Sequence, residues 1–248
     1  MFAAHRFSLL LLVGACSLPH DADGTLDRVA HDHLVRVGVV ENDPWVRDSS
    51  GAVDGIEGAL VTDLARQLGA RPVWVRGTES KLLAAVQHRE LDLVIGGLTD
   101  DLPWTSVLAL TRPYYTDTVE VGLVPGSAPR DLAHAGIAGD TVAVDVGDRT
   151  ARDVRDRRGV PLPTENLADA PGLVAAPTWR LAAIGRPASG LVLHEANHVL
   201  ALSPGENAWL VRVERFLATR RPAVAAALRH VHAMPAVRSP VPLLVPHR

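Results

Sequence analysis

Cysteine is all but missing. The single one among 248 residues lies at position 16, so the chain can form no internal disulfide. Lysine is almost absent as well. The 25 basic residues are nearly all arginine, are interspersed with 28 acids, and leave a net charge of −3. No basic stripe results, which argues against a nucleic-acid partner. Residues 7–13 form an apolar run too short to span a bilayer. No nucleophile triad, phosphate loop or nucleotide fingerprint is visible, and Gly96-Gly97-Leu98 does not satisfy G-x-G-x-x-G. What is present is apolar content, at 47%, enough to fill one large domain or two small lobes.

The N-terminus carries an address. His5 and Arg6 precede the apolar run, and this order fits a secretory signal. The run ends in Val13-Gly14-Ala15-Cys16, which resembles a bacterial lipobox, with Cys16 as the residue that becomes lipidated. A lipoprotein signal peptide is therefore expected over residues 1–15. A polar tether is expected over residues 16–33, between the membrane and the folded part. The proline-rich residues 233–248 are expected to be disordered.

From Leu34 onward, strand and helix signals alternate. The β-branched run Val35-Arg36-Val37-Gly38-Val39-Val40 reads as a strand. Apolar residues at Leu60, Val61, Leu64 and Leu68, followed by Gly69, read as a helix with its stop. Residues 72–75, 82–88 and 91–95 complete a βαβαβ unit, which implies parallel strands and right-handed crossovers. The third strand opens into Gly96-Gly97 and then the polar Thr99-Asp100-Asp101, as a buried strand does at a ligand crevice. A further strand is expected at residues 120–124. A second αβ series begins at Thr141, with a helix over residues 149–157 that Asp148 can cap. Residues 179–183 read as a short helix and 190–193 as a strand. Residues 208–217 read as a helix that Arg221-Pro222 interrupts, with Pro222 opening another.

Several motifs together resemble the bacterial family 3 extracellular solute-binding proteins, the polar-amino-acid receptors of ABC importers. They are Val37-Gly38-Val39, Pro44-Trp45, Gly51, Gly55 with Leu60, Leu64, Leu68 and Gly69, then residues 91–97, and Pro113-Tyr114-Tyr115. The resemblance covers residues 34–126 without an obvious gap and continues more loosely through residues 142–147. It implies a two-lobed periplasmic-binding-protein type 2 fold, each lobe a mostly parallel sheet flanked by helices. Lobe 1 would comprise residues 34–118 and 206–232, and lobe 2 residues 119–205. The crossovers are expected near residues 116–121 and 201–206, with a ligand between the lobes and hinge closure on binding.

Departures from the family pattern bear on the ligand. In amino-acid receptors a Thr and an Arg after Gly-Gly hold the ligand carboxylate, the Arg as a bidentate fork. The matching positions here are Asp101 and Trp104. The family acid two residues after Glu57 is Ala59, and the Gly-Thr-Thr helix start of the second lobe is Gly147-Asp148-Arg149. Arg112 or Arg149 could supply the missing charge. The expected ligand-binding set is Glu41, Trp45, Gly97, Thr99, Asp101, Trp104, Tyr114, Gly147, Asp148, Arg149 and Glu195. Aromatic faces beside carboxylates suit a cationic or hydroxylated solute better than an ordinary α-amino acid.

A competing class comes from His194-Glu195-Ala196-Asn197-His198, which satisfies H-E-x-x-H. On a helix this motif would place two imidazoles on one face for zinc, with the Glu as general base. The family frame instead puts His194 or Glu195 where an acid of lobe 2 meets the ligand. The resulting expectation is a monomeric, non-enzymatic, cofactor-free receptor, lipid-anchored in the cell envelope, with a small solute and an ABC permease as partners. The alternatives are a zinc metallohydrolase and a transporter-independent accessory or sensor module.

Overall fold

The computed structural model describes residues 19–49, 51–101, 106–128, 130–145 and 149–231. Cys16, Trp104, Gly147, Asp148 and the C-terminal residues 232–248 lie outside them. In chain order the first half holds α1 (Thr25–Asp32), β1 (Leu34–Val39), β2 (Arg47–Ser49), β3 (Ala52–Asp54), α2 (Gly55–Gln67), β4 (Arg71–Arg76), α3 (Glu79–Gln87), β5 (Leu93–Ile95) and β6 (Ala109–Leu110). The second half holds β7 (Tyr115–Gly122), α4 (Leu132–Ala135), β8 (Thr141–Asp145), α5 (Thr150–Asp156), β9 (Val160–Thr164), β10 (Leu173–Pro177), α6 (Thr178–Ala183), β11 (Ala188–His198), β12 (Ala201–Leu202) and α7 (Asn207–Val231).

Two five-stranded sheets result, ordered β4-β1-β5-β12-β6 and β11-β7-β10-β8-β9. In each, three strands run parallel and the remaining pairings are antiparallel. Side chains alternate across a strand, so a sheet buried on both faces needs apolar residues at successive positions. In lobe 1, Val35, Val37, Val39, Leu93 and Ile95 pack with α2 and α7. Val94, from the opposite face, packs with Leu82, Leu83 and Val86 of α3. Gly38 points to that second face, where a Cβ would meet Leu91 and Val94 at 2.9 and 3.0 Å. Lobe 2 repeats the scheme, with Val142 and Val144 on one face and Ala143 and Val174 on the other. Its edge strand β9 carries Pro161 and Pro163, which blunt the open edge against further pairing.

The lobes are joined by a two-stranded ribbon. β7 leaves lobe 1 after Tyr114, and β11 returns antiparallel to it, pairing His198 with Tyr115 and Ala188 with Gly122. The second crossover therefore sits at residues 198–201, earlier than expected, because Ala201 and Leu202 already pair with β5 and β6 of lobe 1.

The N-terminal residues correct another expectation. Within the stretch read as a tether, residues 25–32 form α1, whose Val29 is fully buried. The Glu206 carboxylate accepts from the Asp23 and Thr25 backbone N–H groups, both at 2.9 Å. Asp21 in turn accepts from Leu26 and from Trp209 N–H, both at 2.8 Å. Each acid thus caps the start of a helix distant in sequence. α7 also departs from expectation, running unbroken through Pro222. Its buried residues Trp209, Val213, Phe216, Leu217, Val224 and Leu228 share one face, and burial of that stripe offsets the lost backbone bond.

Candidate functional site

The floor of the crevice is built from the carboxyl ends of β1 and β5. Glu57, in the first turn of α2, is fully buried and accepts from Gly96 N–H at 2.7 Å and Gly97 N–H at 2.9 Å. Its other oxygen accepts a hydrogen bond from the Tyr114 hydroxyl. Burial raises the Glu57 carboxyl above its usual range despite these donors, and burial beside Glu57 pushes the Tyr114 phenol well up. Gly97 adopts φ +67°, and a Cβ there would lie 2.5 Å from the Trp45 ring. Asn42 donates to Gly96 C=O at 2.8 Å and holds the loop after β1 against the same strand end.

Trp45 and Tyr114, expected to offer aromatic faces to a ligand, are instead packed in lobe 1 at 3% and 2% exposure. Trp45 stacks on His198 with centroids 3.9 Å apart and meets Tyr114 edge-on at 6.1 Å. They support the floor from beneath. The large apolar body of each ring gains more from the core than from water.

Above the floor, polar groups of both lobes meet. Thr99 donates to Asp101, and Asp101 forms an ion pair of 2.8 Å with Arg149, which stands immediately before α5. The ion pair therefore crosses from the loop after β5 in lobe 1 to lobe 2. Burial works to raise the Asp101 carboxyl, but the Thr99 hydroxyl and Arg149 outweigh it and hold the group below its usual range. The hydrogen bond to Asp101 correspondingly raises the Arg149 guanidinium. Asp100 accepts from the Asn197 side chain at 3.0 Å, and Thr116 donates to Asn197 at 2.8 Å, which ties the loop to both ribbon strands. Of the two arginines that could replace the missing fork, Arg112 is committed to Glu214 of α7 at 2.8 Å, leaving Arg149 as the one that faces lobe 1. Glu41 is exposed after β1, and Glu195 is exposed on β11 opposite Thr118.

The H-E-x-x-H motif lies on the strand β11, not on a helix. Four residues along a strand separate His194 and His198 by about 13 Å, too far for one ion. His198 Nε2 is hydrogen-bonded to Asp117 at 2.8 Å, and His194 Nδ1 lies 2.6 Å from the Asp153 carboxylate. Among the described residues no group of three or more His, Cys, Asp or Glu side chains is placed to hold a metal ion. The His198–Asp117 pair, the Asn197 bonds and Asp153 were not legible as site features. The available signal was the alternation of His194, Ala196 and His198, which fits a strand as well as a motif.

A hollow of about 570 Å³ lies beside the ribbon, lined by Arg112, Tyr114, Tyr115, Thr116, Asn197 and Arg221 among others. A groove of about 640 Å³ runs elsewhere, on lobe 1 between α2 and the end of α7, and shares none of the interlobe residues. Volume alone does not locate the site; the charges that meet across the lobes do.

This geometry can be set beside known proteins. The sequence profile of the bacterial extracellular solute-binding proteins, family 3, matches residues 35–223. The chain belongs to that family. A search of curated proteins gave no match. Solved structures agree on the fold of this family 3 protein. A mutant of ArgBP from T. maritima superposes with a TM-score of 0.60 at 19% identity, covering 84% of this chain and 99% of that one. AncCDT-1, an ancestral cationic amino acid solute binding protein, gives 0.66 at 19% identity over 84% and 98%. The GluR0 ligand-binding core in complex with L-glutamate gives 0.61 at 20% identity over 79% and 97%. At such identities the likeness is one of fold: two α/β lobes of the type 2 arrangement.

Proposed function

We propose that this family 3 protein is a lipid-anchored receptor that captures a small polar solute between its lobes and presents it to the permease of an ABC importer. The observation that carries the reading is the meeting of Asp101 from lobe 1 and Arg149 from lobe 2 beside a two-stranded hinge. Ribbons of this kind permit hinge closure about a ligand. Membership of a solute-binding family supports capture, and the lipobox-like Val13-Gly14-Ala15-Cys16 supports an anchor that raises the local concentration of receptor at its membrane partner. Among the described residues no helix is long and apolar enough to cross a membrane.

The solute differs from an ordinary α-amino acid in this reading. An acid, Asp101, stands where the family places a Thr against the ligand carboxylate, and Trp104 stands in place of the Arg fork. Neighbours that hold arginine or glutamate make those amino acids the first compounds to compare. The test is a thermal-shift screen of the chain from residue 19 onward against amino acids, polyamines, quaternary amines, ω-amino acids and sugars. A solute at 100 times its Kd stabilises the folded state by about 2.7 kcal/mol. A shift with one of the other classes and none with α-amino acids is the expected result. A shift with arginine or glutamate alone would restore the ordinary specificity, and silence across all classes would remove the receptor reading.

A further inference from the structure

The groove of about 640 Å³ on lobe 1 follows the seam between α2 and α7. Arg220 and Asp63, the first residue of α7 and the last of α2 to line it, form an ion pair that marks one end. Beyond that pair the helices offer mostly alanine to the seam, Ala59 from α2 with Ala223 and Ala227 from α7, beside Ile56 and the buried Leu60 and Val224. A methyl group fills little of the space between two helix axes, so the seam stays open as a furrow. Ala59 and Ala223 are exposed in it. Apolar surface gathered in one concave strip, rather than scattered, marks a place where another apolar element lies.

The chain itself supplies such an element. Val231, the last residue of α7, lines the groove, and residues 232–248 continue from it outside the described residues. Their prolines argue against a helix or a central strand, but their composition also argues against a segment surrounded by water. Val241-Pro242-Leu243-Leu244-Val245 is an unbroken apolar run, and residues 232–248 hold no acid and no charged side chain but Arg238, Arg248 and the histidines. Low hydrophobicity with high net charge keeps a segment in solvent, and this run has neither. Pro240, Pro242 and Pro246 carry no N–H, so fewer backbone donors need partners when the run lies against apolar side chains, and their fixed φ lowers the entropy lost on docking.

We propose that the α2–α7 groove is the docking site of the C-terminal run Val241–Val245 of the same chain, folded back along α7. The lengths agree. From Arg220 to Val231 the α7 wall is about 16 Å long at 1.5 Å per residue, and residues 241–245 in an extended polyproline conformation also span about 16 Å at 3.1 Å per residue. Residues 232–240 lie between the end of α7 and the run, enough chain to reverse direction. So short a connection gives the run a millimolar effective concentration at its own groove, which favours it over the same segment of a second copy. Placed there, it covers the first turn of α2, from which Glu57 holds Gly96 and Gly97 at the crevice floor. The inference is independent of which solute the cleft holds.

The experiment uses residues 19–248, which contain no cysteine, and the same chain ended after Val231, each checked for folding by circular dichroism. Ending the chain there is expected to lower Tm by about 4 °C or more. Leu243→Asp/Leu244→Asp, which keeps the rest of the segment, is expected to lower it nearly as far. Placement is read by cross-linking. Leu244→Cys is combined with Ala59→Cys in the groove or with Lys81→Cys on α3, an exposed position on the opposite face of the lobe 1 sheet. Under mild oxidation in dilute solution the Ala59 pair is expected to close within one chain about tenfold faster than the Lys81 pair, as its effective concentration is higher. Equal rates for the two pairs, or an unchanged Tm in both tail variants, overturn the proposal. A lower Tm in the shortened chain alone, with the leucine variant melting like the wild type, also overturns it, because the stabilisation then does not come from the apolar run. Cross-linked dimers in place of closed monomers overturn it in favour of a groove filled by a second copy.

Discussion

Gly97 shows how closely the crevice floor is fitted. Its φ of +67° disfavours a side chain, and the space a Cβ would take is already filled by Trp45 at 2.5 Å and Asn42 at 2.8 Å. Gly97→Ala is expected to cost about 1–3 kcal/mol, read as a lower midpoint in urea, because backbone strain and overpacking act together. Glu57 makes a different demand. Burial raises its carboxyl, so below the ordinary carboxylate value it is neutral in both folded and unfolded chains, and as pH rises through the higher folded value the folded state must hold a buried charge. Glu57→Gln keeps an acceptor for Gly96 and Gly97 and removes that charge. Its stability relative to wild type should therefore rise with pH from the ordinary carboxylate range upward, as measured by denaturant titrations at successive pH values. A constant difference would show that Glu57 is not the group responsible.

Among the elements, α1 and α7 depend on each other through Asp21 and Glu206. Backbone donors from Thr25 and Asp23 hold the Glu206 carboxyl below its usual range, more than offsetting burial, which works to raise it. The stability it contributes is present above the ordinary value and is lost as pH falls through the lower folded one. Glu206→Ala is expected to cost about 1 kcal/mol at neutral pH, a typical capping loss, and a shift of roughly 2–4 °C in Tm. Removing residues 19–33 should cost more, because it also deletes the buried Val29 and uncovers the surfaces of α7 and β1 against which α1 packs. An unchanged Tm in that truncation would return the segment to the status of a tether. At β11 the expectation concerns zinc. With His194 and His198 spaced along a strand, no zinc-induced Tm shift that disappears in His194→Ala is expected.

For the molecule as a whole, the ribbon of β7 and β11 is the joint between two separately filled cores. Asp117 and His198 link its strands with the pair 3% and 6% exposed. Breaking a buried pair by removing one partner leaves the other uncompensated and costs roughly 3–5 kcal/mol where both are charged. Asp117→Ala should therefore destabilise the protein more than a surface acid such as Asp131→Ala, as compared by urea unfolding. Equal effects would mean that the joint is held by backbone pairing alone.

The periodicities and glycines of residues 34–97 were sufficient to read the first βαβαβ unit, the floor at Gly96-Gly97 and the family, because β1 and β5 are buried on both faces, the edge strand β4 is β-branched, and each helix carries one apolar stripe. Helix α1 escaped such reading, since a polar segment with a single buried valine holds its place through partners nearly 200 residues away. The same holds for the site. Sequence could nominate Trp45, Tyr114, Arg112, Arg149 and Asp101, but only the tertiary fold decided that the aromatic rings pack inward, that Arg112 is taken by Glu214, and that Asp101 and Arg149 face each other across the lobes. Local pattern records which face of an element avoids water; which charges meet depends on how distant elements are brought together.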